Sequence, residues 1–343
     1  MPDQKSYRFT FIVLIIVLIG CFLMNISLGS VSISMEGIFA AFTGGEIEKE
    51  TWRTTILSIR LPKAIAAVLV GFGLSLSGLL MQTLFRNPLS GPFVLGLSSG
   101  ASLGVALLIM GASAFGGFFG TLLLSSYSLV IAASLGSFLV LLTVMIVSTR
   151  VKDTMSILII GLMFGSITSA IVSVLTYFSD AEELKQFMIW TLGSLGNLSW
   201  QELGILSGLI VGGILLSILS IKSLNAFLLG ENYARSLGID IKRARYTVII
   251  ATSLMAGSCT AFVGPIAFIG LAIPHITRLF FNTTNHKILV PSVCLIGGIL
   301  LLVCDSIAQV PFSDITLPIN AITSMIGAPV VIWLLVRKRK MIF

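Results

Sequence analysis

Charge is what this sequence lacks. Only 10% of its 343 residues are Asp, Glu, Lys or Arg, and the mean hydropathy is +1.06. A water-soluble domain carries roughly 25%, so a soluble globular fold is excluded. There is no GxxxxGK[ST] phosphate loop, which excludes ATP hydrolysis by this chain alone. Histidine is nearly absent: His275 follows Pro274 in an apolar stretch, and His286 lies in a turn. His275 reads as a packing or hydrogen-bonding residue before it reads as a proton relay. The four cysteines, Cys21, Cys259, Cys294 and Cys304, lie in or beside apolar segments without metal-ligand spacing. They read as small buried residues, with neither a disulfide framework nor a metal cluster expected. Carboxylates within apolar segments are also scarce, Asp305 being the single candidate. Ion-coupled carriers need such groups or an equivalent ion site, which argues against secondary transport. With no paired carboxylates and no nucleophile beside a base, an intramembrane enzyme is disfavoured too.

What is present is apolar runs. About 18 or more apolar residues suffice to cross the hydrocarbon layer as a helix. The run from Phe9 to Leu28 is uncharged and too long for a secretory signal core. Ten helices are expected, at about 9–28, 61–83, 92–110, 121–148, 155–177, 201–220, 245–262, 265–281, 288–309 and 317–336. The chain therefore reads as one polytopic domain, 1–343, with both termini on one side. Placing them in the cytoplasm puts 16 of the 21 Lys and Arg inside, leaving Lys49, Arg53, Arg60, Lys63 and Lys185 outside. Of 14 acidic residues only Asp3, Asp153, Glu231 and Asp240 fall inside. Both biases follow the positive-inside rule. The net charge of +7 is thus a topology signal and not a nucleic-acid footprint, with Arg337–Lys340 as an anchor at the lipid headgroups.

Small residues recur at helix spacing: Gly96, Gly100 and Gly104; Gly204, Gly208 and Gly212; Gly161 with Gly165. These predict close helix packing within the subunit, with a share available to a subunit interface. Pro88 and Pro92 bracket a turn before the third helix, and Gly264-Pro265 and Pro274 interrupt the region of the eighth. Such breaks often lie along a transporter's path. The parallel between Pro92 with Gly96-Leu97 and Pro265 with Gly270-Leu271 hints at an inverted repeat.

Two polar stretches stand out. Gly230–Gly238, within a cytoplasmic loop of about 221–244, reads as a short helix closed by glycine and suited to dock a cytoplasmic partner. Its plainer reading is a solvated loop. Arg60-Leu61-Pro62-Lys63 puts cations on the side where they are otherwise rare. They suit an acidic external partner, or else simple snorkelling to the interface.

At these residues the chain resembles the FecCD-type permeases, from about Trp52 to Lys340. Arg60–Lys63 is similar to that family's RLPR. Ser77-Gly78, Gln82, Phe85–Leu89 and Leu95–Gly100 are similar to SG…Q…FRNPL…LGxSSG. Trp190, Gly193–Leu195 and Trp200, then Gly230-Glu231, Ala234 and Leu237-Gly238, continue the order. Phe268–Leu271, Pro274-His275, Arg278-Leu279 and Gly327–Pro329 complete it. The resemblance implies an all-α permease of the cobalamin-importer type with ten membrane helices, in a bacterial inner membrane. It implies a homodimer, or a heterodimer with a close relative, served by two cytoplasmic ATPase subunits and an external substrate-binding protein. ATP and Mg would sit on the partner ATPase, and no cofactor on this chain. The cargo would be a ferric siderophore or related iron chelate, with haem or cobalamin as alternatives. Arg60 and Lys63 would dock the binding protein. Gly230, Glu231, Ala234, Leu237 and Gly238 would couple to the ATPase. Asn87, Leu89 and Thr154 would lie at the cytoplasmic gate. Two departures bear on docking: Gln309 stands where the family often has Arg, and Thr316–Asn320 replaces ELPxG. Lys63 in place of Arg also gives up bidentate pairing.

Overall fold

The computed structural model describes residues 4–336 apart from 30, 32, 46–48, 116–125, 149–150, 152–153, 312 and 314. In chain order the α-helices are α1 (Gln4–Ser27), α2 (Met35–Thr43), α3 (Glu50–Thr55), α4 (Leu61–Phe85), α5 (Leu97–Phe115), α6 (Ser126–Ser148), α7 (Thr154–Tyr177) and α8 (Ala181–Leu192). There follow α9 (Trp200–Leu219), α10 (Ile221–Phe227), α11 (Glu231–Ser236), α12 (Ile241–Thr252), α13 (Ser258–Val263), α14 (Ile269–Phe280), α15 (His286–Ala308) and α16 (Ile319–Val336). No strand occurs among the described residues. Among the described residues, seven helical stretches are long and apolar enough to cross a membrane, and three shorter ones, Leu97–Gly111, Ile269–Phe280 and Ile319–Trp333, bring the total to the ten expected. All-helical construction follows from the solvent. In lipid each backbone amide must find its partner within the protein, and a helix does so locally.

Hydropathy alone does not show the elements that lie off the spans. A wider turn over Ile56–Arg60 joins α3 to α4, so Glu50–Phe85 is one continuous helix. Helices α2, α8 and α10 were not expected. The start of α8 does carry a signal, since the Glu183 carboxylate accepts the Asp180 N–H at 3.3 Å. The reciprocal cap at α9 is fuller: Ser199 Oγ accepts from Glu202 N, and Glu202 Oε2 from Ser199 N. Arg337–Lys340 and residues 121–125 lie outside the described residues.

Helix α4 is the most deeply buried long span, and α1, α9, α12, α14 and α15 pack around it. Its glycines make that possible. Gly71 faces the Gly297 carbonyl of α15, where an added Cβ would lie 2.5 Å from the oxygen. Gly78 faces the Gly270 carbonyl of α14 even more closely. Pro274 has no N–H to offer that carbonyl four residues back, so the oxygen is free to sit against α4. Pro274 does not interrupt α14, contrary to expectation; the break is the Gly264–Phe268 stretch, where Phe268 has φ +65°. The two Pro- and Gly-bearing stretches meet, and a Cβ on Gly270 would lie 2.6 Å from Pro92 Cδ.

A second body is built by α5, α6 and α7. Gly100 and Gly104 lie against the α6 backbone at Gly136 and Ala132, and Gly161 against Val94 and Leu95, as intramolecular packing predicts. Gly204, Gly208 and Gly212 share the same spacing, yet a Cβ on any of them would meet nothing within 4 Å.

Candidate functional site: the two ends of helix α4

At its first turn α4 carries Arg60 and Lys63. Arg60 is buried, and its guanidinium donates to the Ile26 carbonyl at 2.8 Å, to the Ser27 carbonyl at 2.9 Å and to the Val31 carbonyl. These include the last-turn carbonyls of α1, which no helical N–H reaches, and Arg60 caps them. Arg60 therefore turns its guanidinium into the chain. Lys63 Nζ lies 3.1 Å from Asp305 Oδ1, and Asp305 is only 2% exposed. Asn25 Nδ2 donates to Asp305 Oδ2 at 3.0 Å, and Gln309 Nε2 to the same oxygen at 2.8 Å. The lone carboxylate of the apolar segments is thus the anchor of a network joining α1, α4 and α15. Gln309, where the resemblance led a cation to be expected, serves this anchor with its amide. Asn320 has a task as well, accepting the Ala267 N–H at 3.0 Å in the break before α14.

Lys63 and Asp305 also line a cavity of about 360 Å³, walled by the Gly193–Asn197 turn and by Thr316–Ile319. A neighbouring cavity of about 350 Å³ shares Ile189, Ser194 and Asn197 and is completed by Gln186, Trp190 and Gly264. Lys63 therefore keeps a route to this surface that Arg60 does not have.

At the far end, α4 closes on Arg86, which has φ +46° and whose N–H returns to Thr83 O at 3.3 Å. The following loop is tied on several sides. Asn87 Oδ1 accepts the Leu89 N–H at 2.9 Å. His275 Nε2 bonds the Pro88 carbonyl at 2.8 Å, and because a carbonyl only accepts, that nitrogen carries the proton. Arg278 Nη1 donates to Gln82 Oε1 at 3.0 Å, while Gln82 Nε2 donates to Leu271 O at 3.2 Å. His275 is thus a hydrogen-bonding residue, as the sequence suggested. Leu89 is exposed beyond this framework. Thr154 is the first residue of α7, and its side chain is not among those described.

On the same end lies α11. Gly230, at φ +104°, and Gly238, at φ +79°, bound it with backbone conformations that suit glycine. Ala234 is fully buried and seats the helix. Glu231 Oε1 accepts Arg245 Nη2 at 2.9 Å, so this carboxylate fixes α11 to α12. Sequence reasoning missed the feature facing away from the chain: Leu229, Tyr233 and Leu237 are 63%, 51% and 58% exposed. Tyr233 lies on α11 and Leu237 directly follows its last residue, while Leu229 stands before Gly230, where the chain enters the helix. Three exposed large apolar side chains around so short a helix mark a candidate interaction surface.

The FecCD transport family matches residues 15–337. The chain belongs to that family. It is similar to the haemin transport system permease HmuU of Yersinia pestis, 34% identical over 333 residues that cover 97% of this chain and 95% of the relative. It is also similar to the vitamin B12 import system permease BtuC of Salmonella typhi, 37% identical over 286 residues, 83% of this chain and 84% of that one. Among solved structures, an inward-facing transporter assigned to the metal-chelate type of ABC transporters superposes with a TM-score of 0.83 at 30% identity, covering 96% of this chain and all of that one. The chain is therefore a membrane permease of the ABC importer class, a transport subunit built on the ten-helix fold expected of it.

Proposed function

We propose that this permease carries a ferric siderophore or related iron chelate inward, driven by ATP hydrolysis on separate subunits that dock on α11. The observation that carries the docking is the exposed apolar group Leu229, Tyr233 and Leu237 in and beside α11. It is apolar, exposed, at the end of α4 that bears the tied loop, and seated rigidly by Ala234 and the Glu231–Arg245 pair. Interfaces draw most of their energy from a few such buried anchors. In this reading α11 faces the cytoplasm, as the positive-inside bias favours, and both termini lie there too. ATP and Mg²⁺ belong to the partner, and a second copy of the permease completes the pathway. Asn87 and Leu89 form the inner gate. The Lys63 cavity takes a carboxylate of the external binding protein. The likeness to a metal-chelate type transporter supports the class of cargo, and the haemin and B12 relatives supply the competing cargoes for the same assay.

The test uses the full chain reconstituted with its partner ATPase and binding protein. Tyr233→Glu with Leu237→Glu should lower ATPase affinity by at least tenfold and abolish uptake, while the permease still inserts. Wild-type chain in inside-out vesicles should bind the ATPase, and in right-side-out vesicles should not. Uptake of labelled ferric hydroxamate, ferric catecholate, haem and cobalamin then identifies the cargo. Unchanged ATPase binding in the double variant, or binding only to right-side-out vesicles, refutes the docking assignment. Uptake of haem or cobalamin, with neither ferric hydroxamate nor ferric catecholate taken up, refutes the siderophore-type assignment.

A further inference from the structure

His286 is the first residue of α15, and it is completely buried. Its imidazole stands between two other helices. Nδ1 lies 2.8 Å from Asn225 Oδ1 of α10, and the His286 backbone N–H donates to that same oxygen at 2.9 Å. Nε2 lies 2.8 Å from Thr83 Oγ1 of α4. The amide oxygen of Asn225 only accepts, so Nδ1 carries the proton. Nε2 is then an acceptor and takes the Thr83 hydroxyl proton, for which the Leu79 carbonyl at 2.9 Å is the alternative acceptor. The neutral ring is therefore a two-ended bridge, donating to α10 and accepting from α4. Asn225 is tied further, its Nδ2 donating to Asn285 Oδ1 at 3.3 Å.

Each end of the bridge leads to a different functional element. Helix α10 runs directly into α11: Leu229 N bonds Ala226 O at 3.0 Å, and Gly230 N bonds Phe227 O at 3.0 Å, leaving no slack before Glu231. On the other side Thr83 belongs to the last turn of α4. The next turn is the loop that His275 holds at Pro88, and Gln82 beside Thr83 is bound to α14 through Leu271 and Arg278. A buried hydrogen-bonding group left without a partner is heavily disfavoured, so α10 and the end of α4 move together and do not slide past each other. We propose that His286 is a positioning residue that transmits displacement of the docking helix α11, through Asn225 and Thr83, to the gate loop at Asn87–Leu89. The proposal rests on the reading of α11 as the ATPase-docking helix.

Thr83→Val keeps the shape of the side chain and deletes only the α4 end of the bridge. His286→Leu deletes both ends. The complete transporter, in proteoliposomes with its ATPase and binding protein, is assayed with whichever of the four cargoes above the wild type takes up. Thr83→Val should bind the ATPase with wild-type affinity and hydrolyse ATP at a rate within twofold of wild type. Cargo moved per ATP should fall by about tenfold, within the usual span of coupling between sites. His286→Leu should show at least the same loss in whatever fraction folds. His286→Gln, which can donate and accept, should recover part of the ratio. A merely structural bridge predicts a different pattern: lower melting temperature and yield, with wild-type cargo per ATP in the surviving complexes. That pattern in Thr83→Val overturns the proposal alone. Undiminished ATPase binding by Tyr233→Glu, Leu237→Glu overturns the docking reading and this proposal with it.

Discussion

Asp305→Leu is expected to destabilise the folded chain by about 1–3 kcal/mol, because the partly buried Lys63 ammonium loses its partner. Asn25 and Gln309 would also lose their shared acceptor, although Asn25 retains Ser306 Oγ at 3.0 Å. The double variant Lys63→Met, Asp305→Leu should recover part of that loss, since replacing both members of an ion pair with apolar groups leaves no unpaired charge. Melting temperature and monodisperse yield in detergent measure both effects. A single variant as stable as wild type, or a double variant no better than the single, would sink this account of the network. The double variant also separates the two tasks proposed for Lys63. If the ammonium additionally steers an acidic binding protein, the association rate of the stable double variant falls at low salt and converges on wild type as salt screens the field. Equal rates at both salt concentrations restrict Lys63 to its internal pairing. Lys63→Glu is the poorer test, because it sets two carboxylates together and unfolds the site it is meant to probe.

The second large effect concerns Gly78. A side chain there meets the backbone of α14 at Gly270, not the flexible end of another side chain. Backbone cannot turn aside as a rotamer does. Gly78→Ala forces α4 and α14 apart and should cost about 1–3 kcal/mol, the usual range for overpacking. Gly78→Val should leave almost no folded permease. Because α14 also carries His275 and Arg278, any Gly78→Ala protein that survives should have a loosened Pro88 loop and lower uptake. Gly204→Ala makes a matched control at a position where a Cβ meets nothing within the chain. Folded yield and uptake for the three variants decide the matter. Wild-type yield for Gly78→Val would show that the helices are not in backbone contact.

The spans and the family were legible from residues alone. A membrane helix satisfies its own backbone, so a run of apolar residues is enough to place it, and the ten runs reappear as helices within a few residues at most ends. The short helices off the spans were less visible. Their hydropathy is mixed, and only caps such as Asp180 with Glu183 announce them. The exposure of Leu229, Tyr233 and Leu237 is not written in their spacing, because Gly230 breaks the helix between the first two and only the packing of Ala234 and the Glu231–Arg245 pair sets which side faces out.

What tertiary structure alone decided is the partner of each polar side chain. Arg60 and Lys63 are one helical turn apart with similar charge, yet one caps α1 and the other neutralises Asp305 at the floor of a cavity. Asp305 reads in isolation as an ion-coupling carboxylate, until the chain brings Lys63 to within 3.1 Å of it. Gly100 and Gly204 belong to the same spacing pattern, but only the first has a neighbouring helix against it. His286 reads as a turn residue until Thr83 and Asn225 arrive on its two nitrogens. Helix formation depends on contacts a few residues apart and is written locally. Charge neutralisation and close backbone packing depend on groups far apart in the chain, so they come into being only when the bundle closes.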